Sequence, residues 1–417
     1  MHAKRTLLTL ALALALLSGG LPGAQASLLE DAVDAAGGDG ELTAHKDLYH
    51  QDAEGTVSFE NLEQRVLDNA TTVKMLDETI ASIDATDFDK MYDDLRDGLN
   101  GIASIQQGLI LAGQKGTYTY DKLADQYAAM EKTFDNLKEG KLQTDAEAAK
   151  RQLQDAKNQT VMGAETLYIA ILEMQNTRQG LQRQLDAMDR SVAEMELRYQ
   201  LGQISALTLQ QVKDGRTQLQ SGLATLEMNL ANYTRQLEVM LGLPQTGTLI
   251  LEEVPKVSKI QVEEMSLEED LAAAKEKSYT LYAAKRDLDE AKETYDDARD
   301  QYGTNDYQRK SAEHTYAAAQ YTYQSSLESF ELNFRTAFAA VADYQQVLEA
   351  SESALAYQQS SYAASELKYQ QGTISKNTLL TAQDDLRAAE DAVTTAQHNL
   401  FSAYNTYLWA VEYGILN

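Results

Sequence analysis

The chain has 417 residues, with 36 Lys+Arg against 64 Asp+Glu, a formal net charge of −28, no cysteine and three prolines. Such a surface repels phosphate backbones and anionic headgroups and argues against a nucleic-acid partner. The missing cysteines exclude a disulfide framework and a lipid-carrying cysteine, and sparse proline leaves 27–243 and 256–417 free to be long helices.

In chain order, Lys4 and Arg5 precede an apolar run from Leu7 to Leu17, and Ala24-Gln25-Ala26 reads as a cleavage site. Residues 1–26 are thus a signal peptide, too short to span a bilayer. The mature chain is expected to be exported and to carry no transmembrane helix. Residues 27–57 are acidic and glycine-containing, a flexible leader. His45 and His50 flank Asp47 there, too few ligands for a metal centre.

Ser58-Phe59-Glu60 opens the first helical block, 58–243. Its 84–120 stretch, with Gly98, Gly101, Gly108, Gly113 and Gly116, reads as helix and turn and carries the extra length that the second block lacks. Apolar residues then recur at steps of three and four: Leu181, Leu185, Met188, Val192, Met195 and Tyr199. The phrase LRYQLGQIS follows, Leu197 to Ser205, and the seam resumes at Leu209, Val212, Arg216, Leu219, Leu223, Leu226, Leu230, Tyr233, Leu237 and Met240. Arg216 is its one polar member. Pro244 and Pro255 mark a linker, 244–262, with a short extended segment over Leu249–Leu251.

The second block, 263–417, opens on Ser266-Leu267-Glu268-Glu269, a capping-box pattern. Tyrosines are dense between Tyr279 and Tyr323 and are expected to pack between helices with their hydroxyls reaching water. A short break lies at Gln301–Gln308. The phrase returns as LKYQQGTIS, Leu367 to Ser375, and is followed at an offset of 170 by Leu379, Ala382, Leu386, Ala389, Val393, Ala396, Leu400, Ala403, Tyr407 and Ala410. Two equal seams predict helices packed at shallow angles, and the alanines of the second allow close approach. Gly202 and Gly372 suit the left-handed residue that ends a helix, and Ser205 and Ser375 suit the N-cap of the next. Each half therefore predicts an α-hairpin with a tight turn, in an all-α fold of two tandem repeats.

The doubled turn, with Tyr199, Gly202 and Ser205 in one copy and Tyr369, Gly372 and Ser375 in the other, resembles the TolC-type outer-membrane efflux family. SFENLEQRVLDNA and SLEEDLAAAKEKS are similar to its repeat openings, and LGLP at 241–244 to the end of its first repeat. The resemblance covers residues 58–417. It implies a homotrimer whose six hairpins form a tapering helical tunnel, with the two tips facing a periplasmic or extracytoplasmic adaptor served by an inner-membrane pump. From the residues themselves, no cofactor and no bound metal are expected.

Two departures follow. The family inserts membrane-spanning strands into each repeat, about 9–11 residues of alternating polarity. Neither 84–120 nor Gln301–Gln308 holds such a pattern, so the barrel is expected to be missing and a peripheral or wall-associated location in the cell envelope is favoured over the outer membrane. The family's acidic constriction also has no counterpart, because the tunnel-entrance positions here are Thr378 and Thr381. His314 and His398 stand isolated in sequence, and no nucleophile or phosphate-loop motif occurs. The chain is therefore read as no enzyme. The alternative to a duct is an exported coiled-coil scaffold without transport.

Overall fold

Helices dominate, as the scarcity of proline and the 3-4 spacing require. The computed structural model describes residues 52, 53 and 55–416. The signal peptide, most of the leader, and His45, Asp47 and His50 lie outside the described residues. Eleven helices and two short strands occur among the described residues: β1 (Thr56–Val57), α1 (Leu62–Asn69), α2 (Thr71–Asp84), α3 (Phe88–Leu111), α4 (Tyr118–Lys138), α5 (Lys141–Gln200), α6 (Ala206–Met240), β2 (Ile250–Leu251), α7 (Lys259–Glu263), α8 (Leu267–Lys277), α9 (Tyr279–Gln301), α10 (Tyr307–Gln370) and α11 (Lys376–Tyr413). They form two compact bodies, one over Met75–Ala156, the other over Tyr49–Lys74 and Lys157–Asn417.

The smaller body is built on the α3–α4 hairpin. Asp87 and Thr117 cap the two helices by accepting the backbone N–H of Lys90 and Tyr120. Leu95 and Leu99 are buried on the α3 face, and Tyr92 packs on Phe134 at 4.8 Å between ring centroids. A second apolar patch joins Leu76 and Ile83 of α2 to Ala146 and Leu153 of α5. The 84–120 stretch is thus helix and turn, as its sequence predicts.

The larger body contains the two long hairpins, α5–α6 and α10–α11. The 64 residues of α10 rise about 96 Å at about 1.5 Å per residue. One apolar cluster gathers Val57, Leu62, Val66, Tyr168, Ile171, Leu237 and Trp409; another gathers Leu271, Phe334, Val341, Leu400, Tyr407 and Ala410. Close packing of α10 on α11 dominates the second cluster, as the alternation of alanine with larger residues dictates. Gly414 ends α11 with φ +67, and a Cβ there would lie 2.3 Å from the Ser278 backbone nitrogen, so only glycine lets the chain end dock on the α8–α9 junction.

β1 and β2 pair in parallel, Thr56 with Ile250 and Val57 with Leu251. The described end of 27–57 thus contributes a strand to the larger body. Asp52 is ion-paired with Arg65 at 2.8 Å, and the Tyr168 hydroxyl reaches the carbonyls of Val57 and Glu252 at 2.9 and 2.6 Å. These are the only strands among the described residues. The break between α9 and α10 holds none, and no described helix is long and apolar enough to cross a membrane.

Three local expectations are corrected. Ser266 is the N-cap of α8, but its side chain makes no cap; instead the Asp270 carboxylate accepts the Ser266 N–H at 2.6 Å and also takes the Tyr407 hydroxyl. A capping box does form one element earlier, between Ser258 and Gln261. In the first seam Tyr233 is 37% exposed and Thr234 is buried in its place. An ideal helix drifts about 20° per heptad against a 3.5 repeat, so three heptads turn Tyr233 about 60° off the stripe and leave Thr234 nearer to it, while Leu237 stays buried. Among the dense tyrosines, Tyr295 stacks on Tyr316 at 5.8 Å, while Tyr307 and Tyr321 are each 77% exposed.

Candidate functional site: the paired hairpin tips

The two tips are the same structure made twice. At the end of α5, Leu201 N–H donates to Leu197 O at 3.0 Å, Gly202 N–H to Tyr199 O at 2.9 Å and Gln203 N–H to Arg198 O at 2.9 Å. At the end of α10 the equivalent bonds run Gln371 to Leu367 at 3.1 Å, Gly372 to Tyr369 at 2.9 Å and Thr373 to Lys368 at 2.9 Å. Gly202 and Gly372 hold φ +72 and +71, the left-handed conformation that satisfies the last helical carbonyls. Ser205 and Ser375 then cap α6 and α11, each accepting a backbone N–H at 3.1 Å, from Thr208 and Thr378 respectively.

Each tip leaves apolar side chains in solvent. Leu197, Tyr199, Leu201 and Leu207 are exposed around the first tip, Leu367 and Tyr369 around the second. Helices α5 and α11 are bridged just behind the tips: Asn377 donates to Glu194 at 3.4 Å, and Arg190 pairs with Asp384. Deeper, Arg183 pairs with Asp391, and Asn176 donates to Thr395 Oγ1 at 2.9 Å. These links bring the first hairpin and the start of α11 together. Thr378 is an engaged cap residue, with its hydroxyl 2.9 Å from that of Ser375, and the Thr381 hydroxyl donates to Asn377 O at 3.1 Å.

Arg216, the polar member of the first seam, pairs with Asp189 of α5 at the exposed edge of the seam, linking the two arms there.

Sequence reasoning missed the polar groups that lock the other end of the larger body. His398 is 2% exposed, and its ring nitrogens lie 3.0 Å from Glu173 and 3.0 Å from Glu253. Two carboxylate acceptors on one ring require both nitrogens to donate, which only the imidazolium does. Burial opposes that charge, but the bonds to Glu173 and Glu253 outweigh it and hold His398 above the ordinary histidine range. Glu165 is also buried; burial pushes its carboxyl up, against hydrogen bonds from Asn405 and Trp409 at 2.7 and 2.6 Å. Glu238, 2% exposed, accepts the N–H groups of Gly247 and Thr248 at 2.8 and 3.2 Å, tying the linker to α6. No local pattern announces these groups, because their partners lie on other elements.

No protein-family model matches the chain, and no curated protein matches it in sequence. Solved structures do match. The chain is 12% identical to the Campylobacter jejuni CmeC outer membrane channel over 70% of its own length and 69% of that chain, with a TM-score of 0.52. It is 14% identical to a membrane protein from Pseudomonas aeruginosa over 86% of itself and 90% of that chain, TM-score 0.53. It is 12% identical to the outer-membrane channel OprN over 85% and 90%, TM-score 0.53. The likeness expected from the doubled tip therefore holds at the level of fold: this chain has the tandem-hairpin fold of TolC-type outer-membrane efflux channels, with no barrel strands among its described residues.

Proposed function

We propose that the exported mature chain is a subunit of a transport duct in the cell envelope. Three copies close their α5–α6 and α10–α11 hairpins into a helical tunnel. The tips at Tyr199, Gly202 and Ser205, and at Tyr369, Gly372 and Ser375, dock on an extracytoplasmic adaptor that is fed by an inner-membrane pump. Thr378 and Thr381 sit at the entrance, where neutral hydroxyls replace a ring of carboxylates. Residues 58–243 and 263–417 act as the two repeats, joined by the linker 244–262, and the protein performs no chemistry of its own.

The observation that supports this most is the duplicated tip. A turn kept twice, bond for bond, with leucine and tyrosine left exposed beside it, is what a repeated docking contact needs. The fold shared with outer-membrane channels supports the same reading. A second reading, an envelope scaffold without transport, is favoured by the two-residue strands alone. A peripheral location suits both.

The chain has no cysteine, so Gln203→Cys and Thr373→Cys offer unique attachment points. Cross-linking from these positions in the native envelope is expected to capture one membrane-fusion-type adaptor from both. Capture from neither, in a host that makes such an adaptor, contradicts the docking role.

A further inference from the structure

The turn of the α3–α4 hairpin plays no part in the reading above, and its surface departs from the rest of the chain. From Gly98 to Tyr120 there is no acid and one base, Lys115, in a chain of 64 acids. Ile105, Ile110, Leu111 and Tyr118 are 56%, 46%, 83% and 78% exposed. Successive helix positions turn by about 100°, so Ile105, Ile110 and Leu111 point to three different sides of the last two turns of α3. A partner helix covers one stripe of roughly 100°. Ser104 and Gln107 are exposed among them, so this helix end has no single apolar stripe but an uncharged, largely apolar surface on several sides, which suits a medium rather than a groove.

The backbone of the turn is also prepared to leave water. Gln114 N–H donates to Leu109 O at 2.8 Å, Gly113 N–H to Ile110 O at 3.0 Å and Ala112 N–H to Gly108 O at 3.0 Å, which satisfies three of the last four carbonyls of α3. Thr117 donates its N–H and its hydroxyl to Gln114 O, at 3.2 and 2.9 Å, and its hydroxyl oxygen accepts Tyr120 N–H at 3.4 Å. Each of these internal bonds removes a polar group that would otherwise cost free energy to move from water into a lipid interface.

We propose that this turn docks on a lipid bilayer, at the boundary between headgroups and acyl chains. Leu111 and Ile110 enter the apolar layer, Tyr118 sits at headgroup depth, and Lys115 meets phosphate. Asp121, three residues into α4, sets the limit of entry at about 5 Å beyond the start of that helix, within the roughly 5–10 Å depth of interfacial elements. The rest of the chain is acidic, so neutral lipid is preferred over anionic lipid.

The test uses the full mature chain with vesicles of phosphatidylcholine, alone or mixed with phosphatidylglycerol. Leu111→Cys, labelled with an environment-sensitive dye, is expected to shift to the blue on adding phosphatidylcholine vesicles, and less so with phosphatidylglycerol at low salt. Ile110→Asp with Leu111→Asp is expected to weaken vesicle flotation at least about tenfold with an unchanged melting curve, because both residues are exposed. Tyr307→Asp, at the exposed tyrosine between α9 and α10, is expected to float like the wild type. An unshifted dye with vesicles, or full flotation of the double variant, overturns the proposal. A blue shift without lipid that grows with protein concentration also overturns it, and assigns the turn to a second copy of the chain.

Discussion

The two tips and the two pairs of arms behind them differ in how they are built. The turns at Gly202 and Gly372 share their bonds almost distance for distance, yet the arms share only spacing. In α6 the seam is leucine-rich and includes Arg216, held by Asp189, while in α11 it alternates large residues with Ala396, Ala403 and Ala410, all buried. Backbone geometry is the same at the two turns, where a left-handed glycine and a serine cap dictate it. Side-chain volume diverged where any complementary filling suffices, which is how close-packed cores tolerate change.

The largest break of this comparison comes from a charge in the first seam. Leu223 is 8% exposed, and Leu223→Asp is expected to cost about 3 kcal/mol or more in urea unfolding, because an unpaired carboxylate is buried in apolar surroundings. A variant that unfolds like the wild type places the seam elsewhere. Next is volume. Ala410 is fully buried in the second seam and its counterpart is Met240. Ala410→Leu is expected to destabilise by about 1–3 kcal/mol, and Met240→Leu by less than about 1.5 kcal/mol. Equal costs contradict the difference between the arms.

The turns sharpen the comparison from the other side. Gly202→Ala and Gly372→Ala should each cost about 1–2 kcal/mol, since both hold positive φ in open space and the strain is the same. A large inequality between them, read from chemical denaturation, shows that the tips are not equivalent. The smallest effect is a pH slope. His398 binds its proton more tightly folded than unfolded, so its stabilisation is complete below the ordinary value of 6.5 and is lost as pH rises through the folded value above it. The denaturation midpoint should fall on going from about pH 6 to about pH 9, and His398→Gln should flatten that part of the slope.

Most of the fold was legible because its signals are local. The 3-4 spacing names the helix faces, and the glycine and serine of each phrase name the turn between them. The helical character of 84–120 was legible from its lack of alternation. What escaped reading depends on partners far away in sequence. His398 looks isolated because Glu173 and Glu253 lie 225 and 145 residues off. Ser266 followed by Glu269 fits the capping pattern, but Asp270, also engaged by Tyr407, takes the Ser266 N–H instead. Tyr233 was misplaced by accumulated drift between 3.5 and 3.6 residues per turn. The positions of the six tip residues were readable, but the docking role proposed for them rests on exposed side chains that no periodicity reports.

The duct is tested most directly by determining how many copies assemble and whether they enclose a space. Native mass measurement combined with negative-stain imaging of the purified mature chain should give a three-chain particle with a central lumen. A monomer, or a solid bundle of any copy number, contradicts the duct and leaves the scaffold.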